Sequence, residues 1–196
     1  MANRFSVNFQ GNVIEVTVTN KASEVERWVS QILTTYSGEQ IIVGLDCEWK
    51  PNISSTMNNT TATLQLCVAS KCIIIQMFYL DNIPQSIKNF LDASNVTLVG
   101  VEVQDDVLKL QNEYGLRCNA KTADIQAMAM ARWPVTFNRK PGLKKLASDI
   151  VGLHMAKPLH VCRSNWEARV LSAQQIEYAC IDAFASYKIG SRLLEN

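Results

Sequence analysis

The 196-residue chain predicts an α/β domain built on a mixed β-sheet with helices on both faces. An alternating hairpin pattern opens the chain, three strand-like runs fall between about residues 40 and 78, and strand and helix patterns alternate after about residue 80.

Residues 5–19, FSVNFQGNVIEVTVT, alternate polar and apolar on both sides of Gln10-Gly11-Asn12, which predicts a β-hairpin at a sheet edge. In ASEVERWVSQILTTY, Val25, Trp28, Val29 and Ile32 fall at helical spacing and Gly38 follows as a stop, predicting a helix over 22–36. The run Ile41-Ile42-Val43 leads into LDCEWK, a buried strand over 40–48. The uncharged stretch PNISSTMNNT is a loop; behind it TATLQLCVAS and KCIIIQMF read as two strands joined at Ser70-Lys71, making three antiparallel strands in a row. A helix over 84–93, a strand at VTLVGV, a helix from Gln104 to Tyr114, a short strand near Lys121 and a helix over 124–132 come next. The last helix, over 173–195, carries Ile176, Cys180, Phe184 and Ile189 on its apolar side.

A hydrophobic content of 47% with 19% charged residues supplies a core for one domain over 1–196. Nineteen basic against eighteen acidic residues leave a net charge of +1, which argues against nonspecific coating of nucleic acid, so a polyanion is met locally. The N-terminus has no signal-peptide core and no apolar run approaches the roughly 18 residues of a membrane span, predicting an intracellular protein of the nucleus or cytoplasm with no membrane partner. Six cysteines without C-x-x-C spacing read as reduced core thiols rather than zinc ligands or disulfides.

LDCEWK sets Asp46 and Glu48 two residues apart at a strand end, hence on one face of the pleat. Such a pair repels and burial raises its pKa, a cost that Mg²⁺ or Mn²⁺ removes. Asp105 and Asp106 fall in the first turn of a helix, where acids also serve capping and the dipole, so one of them is expected to cap. Tyr178 and Asp182, four apart, share a helix face among Ala179, Cys180, Ala183 and Ala185, small enough for another layer to approach closely. Trp49 is expected to turn away from the carboxylates into the core, and His154 and His160 to be packing or surface residues.

LDCEWKP, TLQLCV, VGVEVQDDVLKL, GLKKLASDIVG and SNWEARVLSAQQIEYACIDAFASY, in that order over about 40–190, resemble the DEDDy 3′-5′ exonucleases of the RNase H-like (DnaQ-like) superfamily. The resemblance is greatest to the Werner-syndrome-type exonuclease domain. It implies the RNase H-like version of the mixed sheet, with the first three strands antiparallel and the later ones parallel. It makes Asp46 and Glu48 the first motif, Asp106 the second, selected over Asp105 by counting back from Lys109-Leu110, and Tyr178 with Asp182 the third. Glu177 stands where the sister group carries histidine, which marks the tyrosine type. The implied chemistry is hydrolysis of phosphodiesters in DNA, with RNA as the second candidate, using two Mg²⁺ or Mn²⁺ ions. Asp46 would bridge both ions, Glu48 and Asp182 would complete the ion beside the attacking water, Asp106 would support the other, and Tyr178 would orient the water.

The loop over 52–61 contains no Lys or Arg, so the expected grip on substrate falls to Arg132, Arg139, Lys140, Lys144 and Lys145, with Lys157 and Arg163 as a second candidate group. A reading from another class is an RNase H-like module, weakly active or inactive, that binds nucleic acid or assembles with it. The near-neutral charge and uncharged loop favour that module, while five intact motif residues favour the enzyme. A homo-oligomer is a further expectation, since several copies would grip one polymer multivalently.

Overall fold

The computed structural model describes residues 3–51 and 58–195. Strands β1 (Asn3–Phe9) and β2 (Asn12–Thr19) form an antiparallel hairpin. Its two turn residues, Gln10 (φ 47°) and Gly11 (φ 79°), are both left-handed, the geometry whose twist matches that of paired strands. The side-chain amide of Asn12 donates to the Phe9 carbonyl at 3.0 Å and closes the turn.

Strands β3 (Ile41–Glu48), β4 (Thr63–Val68) and β5 (Lys71–Gln76) pair antiparallel in succession, and β6 (Val96–Gly100) and β7 (Lys121–Asp124) extend the sheet in parallel from β3. The hairpin joins β5 through a parallel β2, so the seven strands run β1-β2-β5-β4-β3-β6-β7 and the hairpin forms one edge. Helices α1 (Ala22–Thr35), α2 (Gln85–Asp92) and α3 (Val103–Tyr114) bury Val25, Phe90 and Leu110 on one face. Helices α4 (Ile125–Arg132), α5 (Leu143–Val151), α6 (Leu159–Cys162) and α7 (Ala173–Leu194) cover the other. The loop expected over 51–60 lies outside the described residues at 52–57. No helix among the described residues is long and apolar enough to cross a membrane. All six cysteines are free, with Cys118 and Cys162 half-buried and the rest buried.

Strand alternation sorts β3 between the layers. Ile41, Val43, Leu45 and Cys47 pack beneath α1–α3, which leaves Gly44, Asp46 and Glu48 on the α7 side. At Gly44 an added Cβ would meet the Ala183 carbonyl oxygen at 2.0 Å, and at Gly190 it would meet a Val99 methyl at 2.5 Å. Gly44 therefore lets the α7 backbone lie directly on β3, and Gly190 lets it close onto the Val99 side chain of β6. The N-terminus of α7 is fixed by a capping box: Ser172 Oγ accepts from Gln175 N at 3.2 Å, and Gln175 Oε1 accepts from Ser172 N at 2.9 Å.

One expectation is corrected at α3. Neither Asp105 nor Asp106 caps it; the chain turns into the helix through Glu102, whose left-handed backbone (φ 53°) leaves the helix without a side-chain cap. Asp124 takes up that turn, accepting from Glu102 N at 3.0 Å through Oδ2 while its Oδ1 caps α4 at Gln126 N and Ala127 N. The sharp entry leaves the two acids within the first turn of α3, with Asp105 exposed and Asp106 half-buried.

Candidate active site

Asp46 and Glu48 project from the last pleat of β3 toward α7, where the third turn of that helix presents Asp182. One carboxylate oxygen from each of the three lies within 4.8 Å of the others. Three like charges so close in a poorly solvated place repel strongly. Burial, then Asp182 and Asp106, push the Asp46 carboxyl well above the usual range. Burial and the charges of Asp46 and Asp182 push Glu48 up to about 10. Burial likewise raises Asp182, against the pull of Lys157.

Lys157 is the one cation that reaches this cluster among the described residues: its Nζ lies 2.5 Å from Asp182 Oδ2. Burial works against its charge, yet Asp182, Asp46 and Glu48 together hold its pKa above the ordinary lysine value. The compensation is partial. Asp46 Oδ2 is buried with no hydrogen-bond partner, an orphan acceptor of the kind a bound cation satisfies. An all-carboxylate donor set suits a hard divalent ion, so these residues fit Mg²⁺ or Mn²⁺.

Tyr178 lies one helical turn before Asp182, with its ring tilted against Trp166 at 5.9 Å between centroids and the Lys157 ammonium 5.3 Å over its face. Trp166, almost wholly buried, is itself held by its indole N–H donating to the Cys162 carbonyl at 3.1 Å. The Tyr178 hydroxyl is within hydrogen-bonding reach of Asp182 and the Cys162 thiol. Burial and the Asp182 charge push that phenol well above its ordinary pKa, so it stays protonated and acts as a donor.

Asp106 stands across a groove of about 510 Å³ lined also by Asp46, Trp49, Asp105, Lys109 and Lys157. Burial, then Asp105 and Glu102, raise its carboxyl to about 7. It faces the cluster without belonging to the group of three. The Lys144–Lys145 pair occupies the exposed first turn of α5, beside the groove-lining Leu143, and Arg132, Arg139 and Lys140 are exposed ahead of it. That basic run is partly neutralised, since Lys140 pairs with Glu102 at 3.3 Å and Lys145 with Asp149 at 2.8 Å. Arg163 is exposed at the end of α6.

Trp49 does not turn into the core alone. It lines the groove with Lys109 5.1 Å from its ring, because β3 ends at Glu48 and strand alternation no longer governs the next residue. Lys109 in turn bonds Asn58 Oδ1, the Asn59 carbonyl and Glu113, tying α3 to the chain beyond β3. Gln65 was not foreseen either. It lies directly opposite Asp46 in the β3–β4 register, wholly buried, donating to Thr63 Oγ1 at 2.5 Å with its own carbonyl unpartnered. Its signal in the sequence is a lone amide inside the apolar strand TLQLCV.

The same architecture recurs in solved proteins. Escherichia coli RNase D superposes with a TM-score of 0.71 at 19% identity, over 96% of this chain and 44% of that one. The EXD2 exonuclease domain soaked in Mn superposes with a TM-score of 0.52 at 25% identity, over 91% and 89%. A 3′-5′ exonuclease of Arabidopsis thaliana is 31% identical over 192 residues, which is 94% of this chain and 64% of that protein, so the chain spans under two thirds of that relative. The 3′-5′ exonuclease family model matches residues 16–196, a stretch that contains β3, α3 and α7 with all five motif residues. The chain therefore belongs to the 3′-5′ exonuclease domain family.

Proposed function

We propose that this chain removes nucleotides from the 3′ end of nucleic acid by metal-dependent hydrolysis, with DNA as the first substrate and RNA the competing one. The observation that carries this reading is the cluster of half-buried Asp46 and Glu48 with buried Asp182, one carboxylate oxygen of each within 4.8 Å of the others, with Asp46 Oδ2 itself buried and left unpartnered. In this reading those residues would hold one divalent ion, and Asp46 with Asp106, both lining the groove, would hold a second. Bound there, Mg²⁺ or Mn²⁺ supplies Lewis-acid polarisation of the phosphodiester and neutralises charge that develops during in-line attack by water. The EXD2 domain soaked in Mn supports the choice of ion.

The protein's own groups then have separate tasks. The groove leads the strand past Trp49 and Lys109 to the carboxylates. Tyr178, protonated and wedged against Trp166, orients the attacking water and does not take its proton. Lys157 supplies positive charge at the groove wall. The reading is tested by incubating the protein with 5′-labelled single- and double-stranded DNA and RNA in Mn²⁺, Mg²⁺ or EDTA. A ladder shortening from the 3′ end, absent in EDTA, is the expected result. Binding without shortening in either metal would instead make this domain a nucleic-acid-binding module.

A further inference from the structure

Asp182 Oδ2 has one ammonium already on it. The Lys157 contact is 2.5 Å long, and the Asp182 side chain is 5% exposed while that of Lys157 is 30% exposed at the groove wall. The backbone that carries Lys157 is anchored on both sides. Upstream, the turn residue Gln10 grips His154 at two points, donating to its carbonyl at 2.7 Å and accepting from its N–H at 3.1 Å. Downstream, Pro158 opens α6, with Val161 N and Cys162 N donating back to its carbonyl. What remains free to move is the four-carbon stem and its ammonium.

A divalent ion held by Asp46, Glu48 and Asp182 needs the Asp182 carboxylate that Lys157 now neutralises, and an ammonium in contact with Asp182 Oδ2 and a divalent ion on the same carboxylate repel each other strongly. We propose that Lys157 is an exchangeable internal counter-ion: it occupies Asp182 until a divalent cation takes that carboxylate, and its displaced ammonium then meets the phosphate of the bound strand in the groove. This rests on the metal-dependent exonuclease reading and adds an order to it, since metal entry releases the cation that grips substrate. The exchange has a consequence opposite to that of an ordinary supporting residue. Removing Lys157 strengthens metal binding and weakens substrate binding.

The test is Lys157→Met, which keeps the stem and removes the charge, compared with wild type by Mn²⁺ calorimetry and by binding of a single-stranded oligonucleotide in Ca²⁺. The variant is expected to bind Mn²⁺ about tenfold more tightly or better, the size of an ordinary coupling between two ligands, and to bind the oligonucleotide more weakly. Unchanged or weaker Mn²⁺ affinity overturns the exchange. Should the variant fail to fold, a crystal structure of the wild type soaked in Mn²⁺ decides. Lys157 Nζ withdrawn from Asp182 supports the exchange, and Lys157 still bonded there beside the ion overturns it. A wild type that binds Mn²⁺ with this exchange yet hydrolyses no nucleic acid leaves the exchange standing and removes the exonuclease reading.

Discussion

The carbonyl oxygen of Ala183 lies where a side chain on Gly44 would begin, 2.0 Å from the position of a Cβ. Asp46 is two residues from Gly44 on the same face of β3, and Asp182 is the neighbour of Ala183 on α7. The close approach of strand and helix thus brings two of the three clustered carboxylates together, and a backbone atom cannot yield as the end of a flexible side chain does. Gly44→Ala is expected to cost about 3 kcal/mol or more, the upper range for overpacking, and to lower Mn²⁺ affinity in whatever fraction still folds. Urea unfolding followed by calorimetry checks both; a variant of wild-type stability would mean that α7 does not lie where we place it.

Crowded carboxylates make the metal-free protein sensitive to pH in a defined direction. Glu48 rises from 4.5 to about 10 and Asp106 from 3.8 to about 7, so between those limits the folded state binds more protons than the unfolded one. Stability in EDTA must then fall as pH rises from 5.5 to 8.5, with a slope of at most about 1.4 kcal/mol per pH unit for each group titrating. The acids with lowered pKa, Glu15, Asp81 and Glu113, act the other way but only below that window. Saturating Mn²⁺ should flatten the slope, and Glu48→Gln should reduce it without metal. A melting temperature that climbs with pH in EDTA would contradict the assignment of burial and repulsion.

Tyr178→Phe deletes one hydroxyl and keeps the ring that packs on Trp166. If the hydroxyl orients the attacking water, kcat should fall by roughly 10²-fold, the scale of a positioned proton-handling group, with substrate affinity near wild type. Asp182→Asn should behave differently, needing more Mn²⁺ and regaining part of its rate at high Mn²⁺. A titration of rate against Mn²⁺ for both variants separates them, and equal rescue of the two would make Tyr178 a packing residue.

Lys144 lies in the exposed first turn of α5 next to groove-lining Leu143. Lys144→Glu should weaken oligonucleotide binding and reduce the slope of log affinity against log salt by about 1, the share of one phosphate contact. An unchanged slope would assign the basic run to solvated surface.

Much of this arrangement was legible because the two periods that place it are local. A period of two puts Asp46 and Glu48 on one face of β3, and a spacing of four puts Tyr178 and Asp182 on one face of α7. The mixed sheet with its antiparallel meander followed from three strand runs succeeded by strand–helix alternation, whereas the parallel seat of β2 on β5 did not. What stayed hidden depends on contacts between distant segments or on backbone geometry that residue type does not announce. Glu102 adopts a left-handed turn that residues other than glycine rarely take, and that turn displaced the expected cap at Asp105 or Asp106. Lys157 reaches Asp182 from a loop whose place is set by Gln10, far away in the N-terminal hairpin. Gln65 reads as one polar residue in an apolar strand until the register sets it opposite Asp46.

Whether Asp46 is the shared ligand of a hydrolytic metal site is decided by comparing wild type with Asp46→Ala in two assays run together. One is the rate of 3′ shortening of a labelled oligonucleotide in Mn²⁺; the other is the rise in melting temperature caused by Mn²⁺, which a ligand bound only by the folded state must produce. The variant is expected to lose shortening, to lose most of the Mn²⁺-induced rise, and in EDTA to melt no lower than wild type because one repelling carboxylate is gone. Retained shortening by the variant, or an equal Mn²⁺-induced rise in both proteins, would contradict that role.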